Sequence, residues 1–156
     1  MRRKDREITD REGFLSIIEK ADACALAFAV GEIPYIVTMN FGYEWDGEFP
    51  FLFFHCASEG RKLEMMRANP RVCFELDCGH ELVTGREPCD WGMSYASIVG
   101  YGILSEISDE DERRAGLDRV MRHYGWGGEG AYAAGVLAAT KVLKLSVGEM
   151  KGKRKL

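Results

Sequence analysis

The sequence predicts a small antiparallel β-barrel with helices on its outside and ends. Some six apolar runs of strand composition follow one another along 156 residues. They do not alternate strictly with long helices, which argues against a doubly wound parallel sheet. A chain built from successive strands removes most of its exposed edges by closing on itself. The length fits one ordinary core, so a single domain over residues 1–156 is expected.

The elements read in order as follows. ITDREGFLSIIEKADA opens with Thr9 and Glu12 at capping-box spacing and sets Phe14, Leu15, Ile17, Ile18 and Ala21 on one helical face. CALAFAV and IPYIVTMNF, separated by a turn at Gly31-Glu32, form an antiparallel pair. A loop with Trp45, Asp46 and Gly47 leads to the buried strand FPFLFFHCA. Ser58 is a candidate N-cap for a helix through Ala68, which Asn69-Pro70 stops. RVCFELD is a strand, and the Gly-, Pro- and polar-rich stretch 78–92 reads as a long loop. In SYASIVGYGILSEI, Gly100 and Gly102 mark a bulge or bend. Ser108 and Asp111 cap a helix with Leu117, Val120, Met121 and Tyr124 on one face. After the turn GWGGEG and a run of small residues, ATKVLKLSV is the last strand. Residues 1–8 and 149–156 read as mobile tails.

No apolar run approaches the ~20 residues that cross a bilayer, and MRRKDREITD is not followed by the apolar segment of a secretory signal. A cytoplasmic protein without a membrane partner is the expectation. The net charge of −4 gives no whole-chain support to nucleic-acid binding, although the ends RRK and KGKRK are locally basic. Five cysteines without a C-x-x-C pair read as free thiols, mostly buried. Cys78, His80 and Cys89 match no regular zinc spacing, so no metal is expected.

The stretch that carries chemistry is FHCASEGRKLEMMRANP, residues 54–70. The first-turn N–H groups of its helix have no intrahelical acceptor, and the helix dipole makes that end positive. Ser58 can donate its hydroxyl, Gly60 admits a ligand to the backbone, and Arg61 and Lys62 offer the charge-assisted hydrogen bonds that phosphate favours. The competing reading is a capped helix whose cations face water. The pattern is not a P-loop. In the strand before it, Tyr35, Val37, Met39 and Phe41 share one face while Thr38 and Asn40 point the other way, toward a ligand edge or toward solvent. His55 shares a face with Phe51 and Phe53. It is either a satisfied core histidine or a functional one, whereas His80 and His123 read as surface residues.

IPYIVTMNF, FLFFHCASEGRKLEMMRANPRVCFELD, SIVGYGILSEI and the closing VLKLSVGEMKGKRK together resemble the pyridoxamine 5′-phosphate oxidase-like split-barrel flavoproteins, above all the nitroimidazole-resistance branch. The resemblance covers nearly the whole chain. It implies a mainly β, six-stranded antiparallel split barrel of Greek-key type with flanking helices, and a homodimer holding FMN at the subunit interface. It sets Val37, Thr38, Met39 and Asn40 beside the flavin ring and assigns the phosphate to Ser58, Arg61 and Lys62. The resemblance further implies that Tyr95 and Ser97 meet the cofactor across the interface and that His55 lies next to the flavin as a substrate contact or proton donor. Phe53, Tyr95 and Trp91 are aromatic side chains that such a dimer would bury.

The function implied is an FMN-dependent oxidoreductase reducing a small organic substrate, nitroaromatic or nitroimidazole in kind. The alternatives are a flavin-storage protein without dedicated catalysis, or a related barrel holding haem or a deazaflavin. The chain ends in GKRKL and lacks the Arg-Leu-x-Pro-type tail of true pyridoxamine-phosphate oxidases, which argues against vitamin-B6 oxidation.

Overall fold

The computed structural model describes residues 4–128 and 131–155. Its strands are β1 (Glu7–Ile8), β2 (Cys24–Phe28), β3 (Tyr35–Met39), β4 (Phe41–Glu44), β5 (Phe51–Ala57), β6 (Arg71–Val83), β7 (Gly92–Glu106) and β8 (Thr140–Lys155). The helices are α1 (Arg11–Ile18), α2 (Arg61–Ala68), α3 (Glu110–His123) and α4 (Ala134–Ala139). The strands pair antiparallel in the order β3-β2-β6-β7-β8-β5-β4, with β1 added to β8 beyond the end of β5.

Two expectations change here. Among the described residues there are eight strands, not six, and their hydrogen-bonded ladder does not close. The run IPYIVTMNF is cut at Asn40 into β3 and β4, which are the two opposite edges of the sheet. One residue therefore carries the chain from the first edge to the last, so the sheet must curl until its edges meet. The seam between them is the split.

Phe28, Phe41, Phe54, Phe74, Leu26, Leu52, Leu76 and Ile98 fill the interior with side chains under 2% exposed. Each aromatic or leucine side chain so buried contributes roughly 1.5–3 kcal/mol. A second cluster lies outside the barrel, where α3 and α4 cover β5 and β8 with Phe53, Ile107, Leu117, Val120, Leu137 and Val142. Phe53 is thus buried within its own subunit and needs no partner. Gly116, not Met121 or Tyr124, completes the buried face of α3.

The caps fall one residue from the sequence reading at α1 and at α3. Asp10 accepts from Gly13 N–H at 2.7 Å, and Asp109 accepts from Glu112 N–H at 2.9 Å. In both places a carboxylate beside the expected Thr or Ser takes the orphan donor, and its charge also suits the helix dipole. The stretch 78–92 is not a loop throughout. β6 and β7 extend through it as a two-stranded arm beyond their neighbours, because β2 stops pairing at Leu76 and β8 starts at Tyr95. Residues 149–155 are not a tail either. They complete β8, where Gly152 faces inward against Phe14 and Ile8. Within the amino-terminal segment, Glu7 and Ile8 pair with Lys153 and Gly152. Residues 1–3, 129, 130 and 156, which include parts of the tails and of GWGGEG, lie outside the described residues.

The bulge read from Gly100 and Gly102 is present. Tyr101 pairs with Glu149 and Gly102 with Val147, so Gly148 is the extra residue. A Cβ at either glycine would stand about 2.5 Å from a carbonyl of β8, namely Glu149 O at 2.5 Å or Ser146 O at 2.4 Å.

The seam is bridged by the end of α3. The Tyr124 hydroxyl accepts from Phe41 N–H at 3.2 Å and donates to Asp22 C=O at 2.7 Å. His123 Nε2 donates to Ala21 C=O at 2.9 Å while its ring packs 4.3 Å from Phe41. His123 is therefore a half-buried bridge and not a surface residue. The approach of α3 depends on Gly42, where an added Cβ would lie 2.3 Å from the backbone of Arg119 and Val120. Gly42→Ala is expected to lower unfolding free energy by about 3 kcal/mol or more, since a helix backbone cannot yield as a side chain does. Gly127→Ala, with open space around it, should stay within ~0.5 kcal/mol. Urea unfolding of the two variants checks the contrast.

Candidate functional site

Of the residues singled out from the sequence, those of β3, β5 and the entrance to α2 lie along the seam, and those of β7 do not. β4 pairs with β5 with Phe41 opposite Phe54, which sets Asn40 and His55 at the next step of the same two strands. Three residues beyond His55 the chain enters the turn Ser58-Glu59-Gly60 and then α2. β3 pairs only with β2 among the described residues, so its other edge offers backbone N–H and C=O groups. Thr38 and Asn40 are exposed, Val37 is half-buried and Met39 is buried. The alternation read from the sequence is present. It also means that Val37 and Met39 face the barrel and can meet a ligand only through their backbone.

Ser58 does not cap α2. The N-cap is Gly60, at φ 139° and ψ 161°, and no side chain accepts there. That φ is open to glycine and strained for any other residue. Leu63 and Glu64 N–H both reach Gly60 C=O, at 2.9 and 3.3 Å, leaving the Arg61 and Lys62 N–H groups ahead of the first helical bond. Leu63, Met65 and Met66 bury the other face of α2 and fix its direction. The Arg61 guanidinium lies 4.8 Å over the ring of Tyr35 at the start of β3. Stacking occupies the face of the guanidinium and leaves its N–H edge free. Lys62 is half-buried beside Cys56. Burial pushes the Cys56 thiol up, and the nearby lysine works against that shift.

His55 differs from the expectation of an apolar pocket. It does share a face with Phe51 and Phe53, but α3 covers Phe53 and not His55, whose side chain is exposed. Tyr95 and Ser97 are not brought to the seam within one subunit. They stand on β7, separated from β3 by β2 and β6, roughly 14 Å across three strand spacings.

Between these strands a cleft of about 460 Å³ is lined by Thr38, Ala25, Glu75, Asp77, Cys78 and His80, among others. The sequence gave no signal for Glu75, because an acidic residue alternating within a strand reads as a solvated face. Burial first, and then Asp77, push its carboxyl above the usual range, while His80 opposes. His80 Nε2 lies 3.0 Å from Asp77. A cleft of about 470 Å³ lies at the other side of the seam, among Glu19, Tyr43, Glu44, Arg119, Arg122 and His123. Arg119 is paired there with Glu44 at 2.7 Å, and Tyr43 with Glu19 at 3.2 Å, so its charges are already matched. Among the described residues, no group of three or more His, Cys, Asp or Glu side chains could hold a metal ion, and no helix is long and apolar enough to cross a membrane.

A curled antiparallel sheet split at one seam, with an uncapped helix entrance beside it, defines the split-barrel class. A family model described as pyridoxamine 5′-phosphate oxidase matches residues 10–154, and the chain belongs to that family. It is similar in structure to a candidate 5-nitroimidazole antibiotic resistance protein from Bacteroides thetaiotaomicron, with 36% identity and a TM-score of 0.81, covering 95% of this chain and 86% of that one. An FAD- and haem-binding protein from Mycobacterium smegmatis matches at 19% identity and TM-score 0.81, covering 96% and 73%. An FAD-binding protein from Mesorhizobium loti matches at 23% and 0.69, covering 97% and 98%. These two show the fold alone. None of the curated proteins matches the chain.

Proposed function

We propose that the chain is a flavoprotein that binds FMN and, as a homodimer, reduces a small organic acceptor of the nitroaromatic or nitroimidazole kind. The observation that carries this reading is the entrance to α2. It has no capping side chain, a glycine at φ 139°, and Arg61 and Lys62 in its first turn. Cations are the wrong sign for the positive end of a helix dipole, and a dianionic phosphate reverses that mismatch. The donor set therefore fits FMN: the Arg61 and Lys62 N–H groups, their side chains and the Ser58 hydroxyl would hold the phosphate. The edge of β3 with Thr38 and Asn40 would take the ring. The flavin, once bound, supplies the electron chemistry, while the protein supplies position and electrostatics. His55, exposed at the end of β5, is free to touch a substrate or carry a proton.

A second copy fits the outer face of β2, β3, β6 and β7. Ile36 is 65% exposed and Tyr101 56%, with Val99 and Ile103 alongside. Ile36, Ala27, Cys73 and Tyr101 form one row across the ladder. Leu82 and Trp91 on the arm, 63% and 54% exposed, extend this apolar surface. A patch of this kind marks an interaction site more often than a free surface. Sedimentation equilibrium is expected to give a dimer that retains flavin, and a monomer retaining flavin would contradict the interface site.

Replacing Arg61 and Lys62 by alanine is expected to weaken FMN binding by one to two orders of magnitude per residue, at roughly 1.5–3 kcal/mol for each charge-assisted hydrogen bond. Riboflavin binding should change little, because it lacks the phosphate. Equal losses for both ligands would place these cations elsewhere. His55→Gln is expected to leave FMN affinity and melting temperature nearly unchanged, since the exposed imidazole packs little. Flavin reoxidation by a nitroaromatic should slow by ~10²-fold, the scale of a lost general acid. A rate equal to the parent's would assign His55 no part in the reaction and would favour flavin storage.

A further inference from the structure

The cleft that contains Thr38 is a trough laid across three strands of one chain, and no second subunit is needed to form it. Thr38 of β3, Ala25 of β2 and Glu75 of β6 stand directly opposite one another in the ladder. Ala23 and Ala25 make a low floor, with Thr38 on one wall and Glu75 and Asp77 on the other. Two strand spacings set these walls roughly 10 Å apart. The volume of about 460 Å³ falls within the ~300–1,000 Å³ of small-molecule pockets.

The two carboxylates of the far wall differ in what they already hold. Asp77 is paired with His80 Nε2 at 3.0 Å. Glu75 is half-buried, and among the described residues its side chain makes no hydrogen bond or salt bridge. Burial and the charge of Asp77 push its carboxyl above the usual range, against a smaller opposing effect of His80. The remaining charges are placed elsewhere. Lys20 and Asp22 lie at the end of the trough by Cys78, together with Arg154, and Lys151, in the row of Glu75 beyond Val99, is paired with Glu149 at 3.3 Å. A half-buried carboxylate left without a donor is stabilised by a cationic one. We propose that this trough seats the electron acceptor, that Glu75 is its specificity-determining residue, and that the preferred substrates are flat nitro compounds with a cationic nitrogen at the end away from the nitro group. The cationic end binds Glu75, and the nitro end lies over Thr38 at the open edge of β3. That orientation rests on the flavin reading above, whereas binding of the cation itself does not.

Benzylammonium, which has no nitro group to reduce, probes the trough alone. On the full-length protein, calorimetry should show it binding at least ~10-fold more tightly than benzyl alcohol. Glu75→Gln should erase that preference, while Asp77→Asn, whose parent carboxylate is already paired, should keep most of it. The Glu75 carboxyl, followed by ¹³C NMR as the difference from Glu75→Gln, should titrate at lower pH with benzylammonium bound, because a cation favours the charged form. For substrate choice, the flavin-loaded protein is reduced beforehand and mixed with acceptors of like shape. Its reoxidation should favour 4-nitrobenzylammonium over 4-nitrobenzyl alcohol and that over 4-nitrobenzoate, and Glu75→Lys should reverse the order. Equal binding of benzylammonium and benzyl alcohol by the parent overturns the inference at any flavin content. An equal loss in Asp77→Asn and Glu75→Gln overturns it too, since a diffuse acidic field would suffice. An acceptor order unmoved by Glu75→Lys in flavin-loaded protein overturns the assignment of substrate. Protein that binds benzylammonium through Glu75 but takes up no flavin overturns the functional reading and the orientation, and leaves the cation site established.

Discussion

The constraint on which the structure depends is that a single residue, Asn40, joins the two edges of the sheet. β3 and β4 follow each other along one chain, so they cannot lie side by side and pair at that point. The sheet curls to satisfy the connection yet cannot close its ladder. Two rows of backbone groups face the seam, and buried groups of this kind need partners. At one end the Tyr124 hydroxyl supplies them, accepting from Phe41 and donating to Asp22. Gly42 makes this possible by letting the α3 backbone approach β4. On the other side the edge of β3 stays open, and there the exposed Thr38 and Asn40 stand close to His55.

The helix entrances show the same division of labour in electrostatic terms. α1 and α3 begin with aspartates that accept backbone N–H groups and match the helix dipole. α2 departs from this at its cap. It begins with a glycine in a conformation reserved for glycine, without a capping side chain, and its first two residues are cations. Taken alone that arrangement costs a few tenths of a kcal/mol or more through the dipole. Leu63, Met65 and Met66, buried under the helix, offset it by fixing α2 to the barrel.

Much of this was legible in the sequence, and the failures have physical causes. Apolar and aromatic runs identified β2, β5 and the inner parts of β6 and β7, and period-two alternation gave the two faces of β3, because inward apolar and outward polar residues are what a one-sided sheet requires. The same alternation hid the end of β8. In Lys151-Gly152-Lys153 the inward position is glycine, chosen by the contact with Phe14 and Ile8, so no apolar signal marks the strand and its lysines read as a tail. The arm within 78–92 was missed because a two-stranded ribbon without neighbours needs no buried face. The turn at 58–62 was legible as the entrance to a helix, but assigning Ser58 as its cap was an error that only backbone dihedrals could correct. His55 and His123 exchanged environments for one reason. α3 ends over Phe41, covering His123, and leaves His55 bare, and the course of a helix across a sheet is not written in local periodicity.

Alternation also separates stability from chemistry at the seam. Val37 and Met39 fasten β3 inward, while Thr38 and Asn40 between them carry little packing. Phe54 and Cys56 do the same on either side of His55. Outward residues can therefore change with small effects on the core, whereas the backbone edge that they flank is fixed by the inward ones. A planar ligand seated on that edge would be held chiefly by main-chain groups, which every side-chain substitution leaves in place. Discrimination among such ligands would then fall to side chains, Thr38, Asn40 and His55 being exposed along the seam among the described residues. A ladder left open at one edge thus separates the inward residues of β3 and β5, which hold the fold, from the outward residues along the seam, which do not.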